Sequence, residues 1–180
     1  THYSFNYGID SLNYIVPGDI YMQMNIAGSN TCFKVPIDAG ICNNCITIQT
    51  YQENTGWDGE IENLTNISLI NSDKGISDTQ GPIILLFQQN AIINEGSAIF
   101  QNTDITISLI DESGVNLMNT AIGHGIRYAF NNDVLTAIAG NEFLYTNCDT
   151  GSASIPVPQL ISGEKHQFYV EAWDGLNNKS

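Results

Sequence analysis

The feature that most constrains this chain is a period of two in its apolar residues, confined to short runs and broken by turn-formers. Residues 19–25, 32–35, 46–51 and 105–110 alternate apolar with polar side chains. Residues 166–173 place Phe168, Val170 and Ala172 on one face and Tyr169, Glu171 and Trp173 on the other. Between the runs stand Pro17-Gly18, Asp58-Gly59, Glu112-Ser113-Gly114, Asn131-Asn132-Asp133 and Ser162-Gly163. Short β-branched and aromatic runs at this spacing predict an all-β sandwich architecture. No long helix is expected; residues 116–124 suit a turn or a short helix. The absence of strand–helix alternation argues against an α/β enzyme fold.

The polar, turn-rich stretch 71–81, closed by Pro82, predicts the boundary between two modules. Residues 1–75 are read as a small β module and 76–180 as a second one. Both are expected to be immunoglobulin-like sandwiches.

The formal net charge is −14, with four lysines and Arg127 as the cations. Nucleic-acid binding needs a cationic patch to displace condensed counterions, and these few cations cannot form one. Anionic lipid is disfavoured by the same argument. The longest apolar run, Ile83-Ile84-Leu85-Leu86-Phe87, is strand-sized; spanning a bilayer takes about 18 residues or more. Thr1-His2-Tyr3 does not open a signal peptide, so an export signal is expected outside this stretch.

Cysteines stand at 32, 42, 45 and 148. An even count in an Asn-rich β chain favours disulfides and an oxidising compartment. Cys42-Asn43-Asn44-Cys45 has the spacing of half a zinc site, but no second C-x-x-C completes it. The expected arrangement is one disulfide among Cys32, Cys42 and Cys45, with Cys148 free.

Four blocks in the second half carry a resemblance. They are Asp78-Thr79-Gln80-Gly81-Pro82-Ile83-Ile84-Leu85-Leu86-Phe87, Asp111-Glu112-Ser113-Gly114-Val115-Asn116, Ile122-Gly123-His124-Gly125-Ile126, and Gly163-Glu164-Lys165-His166 leading into Ala172-Trp173-Asp174-Gly175-Leu176-Asn177-Asn178-Lys179-Ser180. This half resembles the C-terminal β-sandwich of gingipain-type cysteine peptidases of Bacteroidetes, in particular the type IX secretion system sortase. The first half is similar more loosely, through Phe33-Lys34-Val35-Pro36 and the run 46–51. It departs at Tyr51-Gln52, where an aromatic-Asp pair is expected. The resemblance implies a secreted or cell-surface parent peptidase, with this segment as a non-catalytic accessory. The partners it implies are other domains of the parent chain and outer-membrane secretion components. In related modules a strand follows the Asp174-Gly175 turn, so the second module is expected to lack its last strand.

No nucleophile–base pair is readable. His124, between two glycines, suits a hydrogen-bonded structural role better than catalysis. Calcium is the one cofactor candidate, because Asp and Asn oxygens in loops are its hard ligands. The candidates are Asp78, Asp111, Glu112, Asp133 and Asp174. The alternative function is a carbohydrate-binding or adhesion module. It requires a platform of exposed aromatics, for which Trp57, Tyr51 and Tyr145 are the candidates and Trp173 is expected at the sandwich edge.

Overall fold

The structure is a computed structural model. It describes residues 2–7, 10–15, 22–23, 34–37, 42–43, 48–52, 57–61, 68–69, 77–118 and 124–180. In the strands before residue 70 it describes the backbone alone.

The described residues are all-β. The strands are β1 (His2–Tyr7), β2 (Asp10–Ile15), β3 (Cys42–Asn43), β4 (Ile48–Gln52), β5 (Trp57–Ile61), β6 (Ser68–Leu69) and β7 (Ile83–Gln88). They continue as β8 (Ala91–Ile92), β9 (Ile105–Ile110), β10 (Arg127–Phe130), β11 (Thr136–Ala137), β12 (Phe143–Tyr145), β13 (Thr150–Ile155) and β14 (Phe168–Glu171). A short 3₁₀ turn occupies Gly140–Glu142. Of the segment 116–124, residues 116–118 are not helical and 119–123 lie outside the described residues. The run 19–25 also falls outside them, except for Met22 and Gln23, which are not in a strand.

The chain divides into two compact units. One is Ala39–Ser77, where β3 pairs with β6 and β4 with β5, both antiparallel. The other joins Thr1–Asp38 to Asp78–Ser180. The smaller unit therefore opens at Ala39, inside the stretch read from sequence as the first module.

In the larger unit, β1 and β2 form a hairpin. Beyond it stand two antiparallel sheets, ordered β12-β13-β9-β7-β8 and β11-β10-β14. Both contribute to one hydrophobic core. The alternation in β9 sends Ile105, Ile107 and Leu109 inward, each at most 1% exposed, while Thr106, Ser108 and Ile110 stay half-buried. On β13 the inward set is Gly151, Ala153 and Ile155. Gly151 must be small, because a Cβ there would collide with the Phe143 ring. From the second sheet comes Phe130, and from just after β14 Ala172, with Phe168 and Val170 packed against the same core. Met22 also packs against it, and the Gln23 carbonyl accepts from the Tyr145 amide at 2.7 Å.

The alternation is violated at Glu171, which lies on the outward face of β14 and is 2% exposed. Arg127, directly opposite it on β10, and Lys179, at 2.6 Å, cover its carboxylate, and the Tyr169 hydroxyl donates to it at 3.1 Å. Burial alone would raise the Glu171 pKa. The hydrogen bonds from Lys179 and Tyr169 and the charges of Arg127 and Lys179 outweigh it and hold the group below the usual range.

Candidate functional site

Three turns of the larger unit carry aspartates that meet. Asp78 precedes β7, Asp111 follows β9 and Asp174 follows β14. Each offers a carboxylate oxygen, and these oxygens lie within 4.8 Å of one another. Asp174 is 0% exposed and Asp111 6%, while Asp78 is half-buried.

Local chemistry holds each acid. Asp78 Oδ1 accepts from the Gln80 amide at 3.0 Å. Asp111 Oδ1 accepts from the Ser113 amide at 2.7 Å and its hydroxyl at 2.6 Å. Asp174 Oδ1 accepts from the Leu176 and Asn178 amides at 2.9 and 2.6 Å. These are Asx-type turns, in which a short carboxylate replaces a backbone acceptor. Asn178 ties two of the acids together: its Nδ2 donates to Asp174 Oδ2 at 2.6 Å and to the Asp78 carbonyl at 3.1 Å.

Glycines let the turns close on each other. A Cβ on Gly175 would collide with the Ser113 carbonyl, and one on Gly81 with the Lys179–Ser180 backbone. Gly175 donates to the Gly114 carbonyl at 2.7 Å and accepts from the Ile37 amide at 2.8 Å. Gly114 has φ of +83° and carries the Lys34 stem against it. Lys34 reaches on to the Glu112 carbonyl and the Asp149 carboxylate.

The electrostatics are those of crowded anions. Burial pushes the Asp111 pKa up; the Ser113 hydrogen bonds oppose this, and the charges of Asp174 and Asp78 add to it. Among the described residues, none of the three aspartates is in an ion pair: Lys34 pairs with Asp149, and Arg127 and Lys179 with Glu171. Three carboxylates with carbonyls nearby are the donor set of a hard divalent cation.

Of the five acids singled out in the sequence, the fold gathers Asp78, Asp111 and Asp174. Glu112 and Asp133 are exposed and stand outside the cluster. Asn178, read from sequence only as part of the last block and not as a site residue, is the added member of the site; the Asp174-x-x-x-Asn178 spacing was its available signal.

Cys148 is disulfide-bonded, which corrects the expectation that it is free. The side chains of Cys32, Cys42 and Cys45, among which its partner stands, lie outside the described residues. Tyr145 is 3% exposed, with its hydroxyl committed to Val115, so it cannot serve in an exposed aromatic platform. Tyr51 and Trp57 stand on β4 and β5 with side chains outside the described residues. Trp173 is half-buried; it stacks on His124 with ring centroids 4.2 Å apart, and Lys179 lies over it at 5.8 Å. His166 Nε2 is 2.9 Å from the Ile161 carbonyl, and its Nδ1 is 3.3 Å from Asn131 Nδ2. A surface cavity of about 360 Å³ is lined by Gln101, Asn102, Val157, Pro158 and Gln159, none of them from the aspartate cluster.

The fold and site thus define an all-β protein with an acidic three-turn corner. No family model, curated protein or solved structure matches the chain.

Proposed function

We propose that this chain is a non-catalytic accessory segment of a secreted or cell-surface gingipain-type cysteine peptidase resembling the type IX secretion sortase. Its role is to space the peptidase and to dock partners: the parent chain's other domains and outer-membrane secretion components. The observation that carries this reading is the strand order. Sheets running β12-β13-β9-β7 and β11-β10-β14 over one core follow the order of an immunoglobulin-like sandwich whose last strand would lie beside β14. After β14 the chain turns, and Lys179 bridges back to Trp173. Three of the four blocks that carry the resemblance also meet at the aspartate corner. The disulfide at Cys148 supports an extracytoplasmic setting.

The test is surface labelling of the source cells, followed by blotting with an antibody to this segment. A surface-exposed polypeptide of peptidase-plus-sandwich length is expected. A cytosolic polypeptide no longer than this chain would overturn the proposal.

The same reading includes a calcium ion held by Asp78, Asp111 and Asp174, supported by their convergence. Calcium titrated against the melting temperature of the EDTA-treated protein should raise it; no shift at millimolar calcium removes the ion from the proposal.

A further inference from the structure

Strand β7 is apolar on both faces. Ile84 and Leu86 point inward and pack against the core. Ile83, Leu85 and Phe87 point the other way, and Ile92 of β8 stands beside Phe87. A sheet with one solvated face alternates apolar with polar residues; an unbroken run such as Ile83-Ile84-Leu85-Leu86-Phe87 suits a strand covered on both sides. Here the outward stripe is open at both ends, with Ile83 60% exposed and Ile92 50%. The next strands are built differently. Leu85 stands beside Ser108 and Ser108 beside Ser152; Phe87 stands beside Thr106 and Thr106 beside Ser154. The outward face thus carries a ridge of large apolar side chains on β7 and a trough of small hydroxyl side chains on β9 and β13. Every outward side chain of β7, β9, β12 and β13 is uncharged, in a chain whose net charge is −14. Asp104, which accepts from the Ser154 hydroxyl at 3.2 Å, stands at its border.

We infer that this face is the interface of a two-fold dimer of this chain. A two-fold axis running along β9, between two such faces, lays the β7 ridge of each copy over the β13 trough of the other. Leu85 of one copy then meets Ser152 of its mate, because the two flank Ser108 in one row. Large side chains over small ones let the two sheets approach to about 10 Å, the spacing of a packed sandwich. Charge favours the same occupant. A strongly acidic or basic partner finds no opposite charge on this face, whereas a second copy brings a matching ridge and trough by symmetry. The uncharged surfaces also keep the carboxylates of two acidic chains out of the contact. At about 3.3 Å per residue and 4.8 Å between strands, the sheet spans roughly 400 Å² of plane per copy. That is at the small end of protein interfaces, so the dimer is weak, with Kd between about 10 µM and 1 mM. The inference stands independently of the surface-peptidase reading, which the labelling experiment decides separately.

The test is sedimentation equilibrium of the whole chain from about 10 µM to 1 mM. The mass should rise with concentration toward that of two chains. It should rise more steeply in about 0.5 M salt, which screens the repulsion between like-charged copies. Leu85→Lys and Ser152→Asp should each weaken the dimer by about tenfold or more, since each places two unpaired charges in the contact. A mixture of these two variants should pair as the parent does. In the mixed dimer the introduced lysine faces the introduced aspartate, and the other contact is native. Val134→Lys changes the charge equally at a position that is 88% exposed and off this face, and should leave the dimer unchanged. Ser152→Asp, at a small hydroxyl position, carries the test where Leu85→Lys lowers the melting temperature. A monomer throughout, a dimer that both face variants leave intact, one that Val134→Lys dissolves equally, or a mixture that fails to pair overturns the inference. Mass growing beyond two chains overturns it as well, because it marks an open assembly rather than a closed two-fold pair.

Discussion

The Tyr145 hydroxyl satisfies both backbone polar groups of Val115, donating to its carbonyl at 2.8 Å and accepting from its amide at 2.9 Å. Tyr145 ends β12 and Val115 follows the Asp111–Gly114 turn, so one side chain ties a strand to the segment that carries an acid of the site. Both residues are at most 3% exposed, and water cannot replace the bonds. Burial pushes the Tyr145 hydroxyl far above its ordinary pKa, so it stays a donor at neutral and mildly alkaline pH.

Tyr145→Phe keeps the ring against Phe143 but leaves the Val115 amide and carbonyl without the hydroxyl. A buried backbone group left unpaired costs about 1–3 kcal/mol. A loss of about 2–3 kcal/mol in urea unfolding, with an unchanged denaturant slope, is expected.

Asp111→Asn removes one charge from the cluster and keeps an acceptor for Ser113. In EDTA the variant should melt no lower than the parent, because it relieves like-charge crowding in a buried corner. It should also lose the calcium-induced rise in melting temperature. A calcium response equal to the parent's would remove Asp111 from the site.

Glu171→Gln leaves Arg127 and Lys179 facing a neutral amide in a covered position. Breaking such a charge-assisted network should cost about 2–3 kcal/mol at pH 7. The folded-state pKa of Glu171 is depressed, so its contribution is complete above the ordinary glutamate range and fades as pH falls through the lowered value. The stability gap between parent and variant should therefore narrow in acid. A gap constant from pH 7 down to pH 3 would contradict the network.

Gly175→Ala places a methyl group against the Ser113 carbonyl, where backbone rather than a flexible side chain must yield. A loss of about 2 kcal/mol or more is expected from overpacking. Ser154 is exposed on β13, and as a control Ser154→Ala should stay within about 0.5 kcal/mol.

Cys148 should resist alkylation in the native, unreduced protein and react after reduction, as mass spectrometry would show. Labelling without reductant would contradict the disulfide.

The strands were legible because side-chain alternation is a local property. Residues 105–110 and the Phe168–Val170–Ala172 face were readable from spacing alone, and the folded chain places them as read. The acids were legible as turn residues, since Asp with Gly or Ser bends a chain whatever surrounds it. Their meeting was not: Asp78, Asp111 and Asp174 are far apart along the chain, and only sheet order brings the three turns together. The cover over Glu171 was not legible for the same reason. Alternation put it outward, where a solvated acid is normal, but Arg127 and Lys179 arrive there through β10 pairing and the final turn. Local periodicity and turn chemistry thus decide which segments extend and where they bend, because neighbours in sequence are enough to set them. Which turns, charges and edges face one another depends on contacts between distant residues, and those exist only once the sheets have paired and packed.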